Sequence, residues 1–377
     1  MENQNELLKT LEKASEIFFN RVEPPTTKNL LRELPEEKKQ KFQEFAQGAY
    51  PLLHADVVDW CEQFLARKRL GGTNQEKVLY GKMRVPGFVQ RMITKRPLMF
   101  MGANDSWLDK SNNRGCGDWD KKANNDLDNF LSYEEIKLSA LLQLSTQTFL
   151  INAGHRSNCG KPAAVGTFIE EAVYVGAVGA RFEKPGKMEY QNMIVDSKDD
   201  DSKNQYFYTT EKSALERLNP NQQFNFGFYK QRMQISFETF LLEANKRGAD
   251  GKVEVYCHVV GLGLGVWQLC SGQEKHWFQA FEDAIDNILK NKNSNNEKRL
   301  ENISIIDFSW VEPFGNSTFK DGETLKQTDI KIKISKNNPF SRTEVFKKAF
   351  LAKVKSVCRR NAASWWWRCL RGTGTRT

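Results

Sequence analysis

Hydrophobic positions change their spacing several times along this chain, and each change marks an element. Leu7, Leu11, Ala14 and Phe18 recur at helical intervals and predict a helix over residues 5–20, stopped by Pro24-Pro25. Val57, Cys61, Phe64 and Leu65 predict the buried side of a second helix, with Asp56 as its cap. The pattern stays helical to about residue 95, so residues 1–95 read as a helical extension laid on a main fold. Residues 102–130, rich in Gly, Asn, Asp and Trp, lack a period and read as a long ordered loop. Ser132-Tyr-Glu-Glu135 is a capping box, and Ile136, Ala140, Leu141 and Leu144 follow on one face. Thr148–Ile151 is a short apolar run that suits a buried strand.

A polar glycine loop, Asn152 to Gly160, comes next. Ala172–Phe182 and Met188–Val195 flank the turn signal Lys184-Pro-Gly-Lys187 and predict a hairpin. Residues 196–204, with Asp199-Asp-Asp201, read as a solvated loop. Val253–Val260 alternates like a strand and leads into a second glycine loop, Gly261-Leu-Gly-Leu-Gly265. Trp277, Phe278, Phe281, Ala284, Ile285 and Ile288 then mark an amphipathic helix, with a strand at Ile303–Phe308 behind it. Strand, loop, helix and strand in this order imply parallel pairing through a right-handed crossover. Asp329–Ser335 adds a further strand.

Composition narrows the class. With 39% apolar and 11% aromatic residues the chain can build a core, which excludes global disorder. No run of eighteen apolar residues occurs, so no membrane span is expected. Glu2, Glu6, Glu12 and Glu16 leave no apolar core for a secretory leader. The seven cysteines are scattered without a C-x-x-C pair and histidines number four, so neither a zinc site nor a disulfide framework is predicted. A reducing, cytoplasmic setting follows as the expectation. The net charge of +9 resides mostly in residues 353–377, which hold seven Lys and Arg and no acid; without them the balance is +2. That distribution argues against a basic nucleic-acid-binding face on the main fold. It leaves single-strand binding through the Trp365-Trp-Trp367 tail as an outlying alternative. Residues 351–377 stand apart as an atypical basic tail, expected to be disordered or the product of a shifted reading frame.

Both glycine loops suit an anionic ligand. A strand, then Gly261, Gly263 and Gly265, then a helix exposes backbone N–H groups in front of a helix dipole, an arrangement that attracts phosphate. The spacing departs from the dinucleotide fingerprint and from the P-loop. A tight turn that touches no ligand is the competing reading. In the first loop, Asn152, Gly154, Arg156, Asn158 and Gly160 suit ribose hydroxyls or phosphate, although Asn and Gly populate any loop. Glu170 and Glu171 are candidates for a general base or a ribose anchor, or else are strand-edge charges facing solvent. Arg181 and Phe182 offer phosphate charge and base stacking, or a plain hairpin ion pair with Glu183. Trp267 stacks on a base or caps the core. His155 lacks a placed nucleophile, and His258, inside a strand, reads as a core residue.

Three strings carry a resemblance: Leu131-Ser-Tyr-Glu-Glu-Ile136, Val178-Gly-Ala-Arg-Phe-Glu-Lys-Pro-Gly-Lys-Met-Glu-Tyr-Gln-Asn-Met-Ile194 and Val260-Gly-Leu-Gly-Leu-Gly-Val-Trp267. Together they resemble a family of microbial-eukaryote proteins and bacterial effectors. Its effector members look like macrodomains related to poly(ADP-ribose) glycohydrolase, acting as ADP-ribosylhydrolases on modified protein. The resemblance implies an α/β fold of macrodomain type over residues 96–350, a three-layer α/β/α arrangement around a mixed sheet. It also implies Asn152 at the distal ribose, Gly154–Gly160 as a first ligand loop, and Gly261, Gly263 and Gly265 around a diphosphate. Glu170 and Glu171 stand where such glycohydrolases carry catalytic carboxylates, here without the Gln that precedes them there. No cofactor is implied beyond ADP-ribose as ligand or product, and the implied partner is an ADP-ribosylated protein, ubiquitin among the carriers. A module that binds ADP-ribose or another nucleotide without turnover is the alternative.

Overall fold

A computed structural model describes residue 9 and residues 35–95, 99–101, 106–108, 113–117, 119–155, 161–177, 189–196, 215–265, 268–291, 299–313, 317–341 and 355–359. The helix expected over residues 5–20 lies outside the described residues.

The described N-terminal part is helical, as its spacing predicts. Helix α1 spans Glu36–Gln47, strand β1 Tyr50–Leu52, and helices α2, α3 and α4 span Ala55–Gly71, Asn74–Tyr80 and Val85–Thr94. In α2, Val57, Cys61, Phe64 and Leu65 are buried, matching the predicted face. The cap differs from the expectation. His54 sits at the N-cap, where its Nδ1 accepts from the Asp56 N–H, and Asp56 falls inside the first turn. Phe64 stacks on Phe88 at 4.9 Å and meets Tyr80 edge-on, which closes a small core between α2, α3 and α4.

Residues 99–130 carry more structure than a loop. Three short strands, β2 (Met99–Met101), β3 (Ser106–Leu108) and β4 (Arg114–Gly115), pair antiparallel, and α5 covers Trp119–Asn125. The missing period is explained by the shortness of these pieces, each too brief to show one. Helix α6 (Tyr133–Ser139) starts with the predicted capping box: Ser132 Oγ accepts from the Glu135 N–H, and Glu135 accepts from the Ser132 N–H. Glu135 also receives Arg91 Nε at 2.6 Å and Nη2 at 3.1 Å, and Arg91 Nη2 reaches the Phe130 carbonyl. One buried carboxylate thus caps α6 and pins the helical extension to the main fold.

The central sheet has seven strands among the described residues, in the order β1-β5-β6-β13-β10-β11-β12. Its members beyond β1 are β5 (Gln143–Phe149), β6 (Glu171–Ala177), β10 (Val255–Val260), β11 (Ile303–Ser309), β12 (Lys331–Ser335) and β13 (Lys355–Arg359). β6, β13, β10, β11 and β12 run parallel, whereas β5 is antiparallel to β6 and to β1, so the sheet is mixed. Two long helices, α8 (Phe226–Gly251) and α9 (Gln273–Lys290), lie against the sheet and each other, α8 reaching about 39 Å. The predicted face of α9 is buried in full: Trp277, Phe278, Phe281, Ala284, Ile285 and Ile288. β10, α9 and β11 form the expected parallel crossover unit.

Two expectations change here. Among the described residues the hairpin expected over residues 172–195 is not seen, since residues 172–177 and 190–195 do not pair with each other. Tyr190–Met193 is a helical turn, α7, and Ile194–Asp196 is strand β7 of a separate sheet, paired with β9 (Gln222–Asn225), which also pairs with β8 (Leu215–Asn219). Both edges of β6 are taken, by β5 and β13. Residues 189–193 are instead drawn to α8 by a buried ion pair, Arg232 Nε to Glu189 Oε1 at 2.7 Å. The second change concerns the basic tail, where no element was predicted. Lys355–Arg359 enters the sheet between β6 and β10.

Two predictions follow from these contacts. Arg91→Met leaves Glu135 buried and uncompensated, and should cost about 3–5 kcal/mol in denaturant unfolding. Arg91→Met with Glu135→Gln should recover part of that loss. The second concerns pH. His54 Nε2 lies 2.8 Å from Glu238 Oε2 on α8. Burial opposes protonation of His54, but the bond to Glu238 and the charges of Glu238 and Asp56 outweigh it and raise its pKa above the usual 6.5. Burial likewise opposes ionisation of Glu238, and the bonds from His54 and Gln234 outweigh it, lowering its pKa below 4.5. The histidine's contribution is therefore complete below its unfolded pKa and is lost as pH rises through the raised folded value. The glutamate's is lost as pH falls through its lowered value. Stability measured by urea melts should decline as pH climbs past about 6.5, and His54→Gln should flatten that decline.

Candidate functional site

The second glycine loop leaves β10 at the carboxyl end of the parallel strands, where α/β sheets place their ligands. Gly263 adopts φ +81, a conformation that suits glycine. The carbonyl of Leu262 accepts from Trp277 Nε1 at 3.1 Å, and that of Gly263 from Gln273 Nε2 at 3.4 Å. Both acceptors are thus turned toward α9. In a trans peptide the N–H points opposite to the carbonyl of the same plane, so the Gly263 N–H faces away from the helix. Gln273 Oε1 also accepts from the Leu269 N–H, tying down the stretch between loop and helix. Gly261 is needed for packing, since a Cβ there would lie 2.8 Å from Val311 Cγ2. Gly265 is exposed with open space around it. Trp267 lies outside the described residues.

The first loop is built differently. Asn152 is buried, its Oδ1 accepting from the Gly154 N–H at 2.7 Å and its Nδ2 donating to the Lys161 carbonyl at 2.9 Å. Its amide therefore closes the loop across nine residues. Gly154 has φ +78, and a Cβ there would lie 2.8 Å from the Phe340 ring. Phe340 also donates its N–H to the Ala153 carbonyl and accepts from the Ile169 N–H, which seats the chain after β12 against this loop. His155 is exposed; Arg156, Asn158 and Gly160 lie outside the described residues, as do Arg181 and Phe182.

Glu170 and Glu171 meet lysines of α1. Lys41 Nζ is 2.6 Å from Glu171 Oε1, and Lys38 Nζ is 3.7 Å from Glu170 Oε2. Phe149 stands opposite Glu171, so the first loop and the glutamate pair gather where β6 begins. Gly261–Gly265 departs where β10 ends, and β6 and β10 run in the same direction through β13. The structure thus joins Asn152, Gly154, Glu170 and Glu171 at one end of the strands and holds Gly261, Gly263 and Gly265 at the other.

Beside the second loop the structure adds residues that spacing did not single out. Trp310, next after β11, has φ +61, donates its N–H to the Ser335 carbonyl and is 45% exposed. A bulky residue in this backbone region is strained, and such strain concentrates at ligand sites. Its signal in the sequence was a lone aromatic directly behind a carboxyl-terminal strand end. Gln273 and Trp277 were legible only as helix residues. No group of three or more His, Cys, Asp or Glu among the described residues is arranged to hold a metal ion. No helix among them is long and apolar enough to cross a membrane.

Gly154→Ala would meet both the ring of Phe340 and an unfavourable φ. It should destabilise the protein by more than about 1 kcal/mol in thermal or denaturant melts, with part of the loss relieved by Phe340→Leu.

Known sequences add an independent line. The profile of the family described as ADP-ribosylhydrolase MavL-like matches residues 9–219 and 208–377. Two Drosophila melanogaster proteins are similar: ADP-ribosylarginine hydrolase CG3568, 31% identical over 81% of this chain and 68% of its own, and ADP-ribosylarginine hydrolase CG2909, 31% identical over 79% and 66%. The chain therefore spans about two thirds of the length of each relative.

Proposed function

From a chain that belongs to the MavL-like ADP-ribosylhydrolase family, we infer a hydrolase that removes ADP-ribose from modified protein, with arginine-linked ADP-ribose as the first substrate to test. The two insect relatives carry arginine-linked substrates in their names. The observation that carries the reading is the second glycine loop, which leaves the carboxyl end of β10 with its Gly263 N–H directed away from α9. A backbone amide directed away from the helix at such a strand end suits a diphosphate. Trp310 supplies an exposed aromatic surface at the same strand ends. The parallel β10–α9–β11 unit supports the macrodomain-like architecture that the resemblance implies.

The reaction asks little of the protein. Water attacks the anomeric carbon of the distal ribose, a carboxylate takes its proton, and the carbon–nitrogen bond breaks to release a neutral guanidine, to which the carboxylic acid then returns that proton. Glu170 and Glu171 are the carboxylates that the resemblance offers. Their lysine partners, and their position at the strand end away from Gly263, favour a second reading, a module that holds ADP-ribose without turning it over.

Calorimetry and a release assay divide these readings. The full chain should bind ADP-ribose, and the hydrolase should free ADP-ribose from arginine-modified protein, ubiquitin included among the carriers offered. Glu170→Gln and Glu171→Gln, at the strand end away from Gly263, should leave binding within a few-fold, and a release rate lowered by about 100-fold or more would assign the reaction to that end of the strands. Binding without release establishes the module instead, and absence of heat at millimolar ADP-ribose refutes both.

A further inference from the structure

The second glycine loop opens with a turn whose central peptide has two orientations open to it. The Leu264 N–H donates to the Gly261 carbonyl at 3.2 Å, which closes a β-turn over Gly261–Leu264. Within it Gly263 has φ +81, whereas Leu262 before it keeps a negative φ. A negative φ followed by a positive one is a type II turn. Types I and II differ by a flip of the central peptide, here the Leu262 carbonyl and the Gly263 N–H. That flip reverses the direction of the amide and leaves the ends of the turn in place.

One side chain responds to which orientation is present. Trp277 of α9 is fully buried, Leu262 is 2% exposed, and the indole Nε1–H donates to the Leu262 carbonyl at 3.1 Å. In the flipped turn that carbonyl would leave the indole, and the Gly263 N–H would take its place. Two N–H groups would then face each other in a buried space, neither with an acceptor. A buried donor left without a partner costs more than an ordinary hydrogen bond contributes. Ring packing does not depend on this bond: Phe281 and Phe308 meet Trp277 through faces and edges that a ring without an N–H also has. A buried indole needs some acceptor, and the one it has is the carbonyl whose direction sets the turn type. Gln273 Nε2, 3.4 Å from the Gly263 carbonyl, holds the next peptide of the loop.

We propose that Trp277 is a positioning residue for the bound diphosphate: its indole N–H selects the type II turn and so fixes the direction of the Gly263 N–H. The proposal rests on the ADP-ribose reading of that loop. Trp277 acts through the Leu262–Gly263 peptide and not by touching the ligand. Glycine at the third turn position permits the type II form without strain, and the indole excludes the alternative. The amide is thus set before the ligand arrives, and binding does not have to turn a peptide.

The test follows ADP-ribose binding to the full chain by calorimetry, with thermal melts alongside. Trp277→Phe removes the donor and keeps a ring, and affinity should fall about 10-fold. Gly263→Ala keeps the donor but strains φ +81, and should weaken binding at least as much. Phe281→Leu is the control, because Phe281 packs on Trp277 and makes no bond to the loop. It should lower the melting temperature yet leave affinity within about 2-fold. Wild-type protein gives a readout that needs no variant to fold: the Gly263 amide proton should move downfield in NMR spectra when ADP-ribose is added. Affinity kept within about 2-fold in Trp277→Phe or in Gly263→Ala overturns the proposal. So does a loss in Phe281→Leu equal to that in Trp277→Phe, or a Gly263 amide unmoved by ligand. Each of these leaves the ADP-ribose reading standing. Absence of ADP-ribose binding by the wild type overturns both.

Discussion

β10 is buried on both faces, and the arrangement of the molecule follows from how its two sets of side chains are satisfied. The apolar set, Val255, Cys257 and Val259, can be covered by helices, and α8 and α9 cover it. Parallel strands joined by a crossover helix place such helices on the sheet as a matter of geometry. The other set includes an imidazole and a phenol, which cannot be buried without partners. On β11, Asp307 takes the Tyr256 hydroxyl and Ser309 meets His258 Nδ1, and Ser335 of β12 donates to Asp307. That network ties together the ends of β10, β11 and β12, where the second glycine loop and Trp310 leave the sheet.

The same requirement recurs in the layers around the sheet. Glu135 and Arg91 pair where α4 meets α6, Glu189 and Arg232 where α7 meets α8, and Glu243 takes Tyr50, Ser145 and Arg247 where β1 and β5 meet α8. Each joins segments far apart in sequence. Removing one partner from such a pair costs more than the pair contributes as a whole, because the remaining charge is stranded. These pairs therefore specify which segments dock together, while Trp277, Phe281, Phe308 and Phe319 pack as an aromatic cluster between α9 and the sheet.

The two glycine loops serve different ends. The first is closed by Asn152 and sealed by Phe340, and its glycine is needed because a ring occupies the space of a side chain. The second has two carbonyls held by Gln273 and Trp277 of α9, with the Gly263 amide directed away from that helix. Similar sequence chemistry, small residues after a strand, thus yields a corner packed on a ring in one place and a loop hydrogen-bonded to a helix in the other.

Periodicity determined the elements whose side chains repeat over several turns or residues: α2, α9, β10 and β11 appear where spacing places them. Helix α6 starts at its capping box but ends at Ser139, and Leu144, which spacing put on its face, is an exposed residue of β5. It also determined the parallel crossover, since strand, helix and strand at that spacing admit few connections. Short elements were not legible, because two to four residues show no period; β2, β3, β4 and α7 are of this kind. Neither was pairing at a distance. Nothing local to residues 172–195 reveals that Glu189 prefers Arg232 to a hairpin, or that β13 enters beside β6. The candidate site divides along the same line. Its glycines could be read directly, because φ +81 at Gly263 is a local demand. The union of Asp307, Ser309, Ser335 and His258 beneath them is a product of register across three strands, and only the folded sheet decides register.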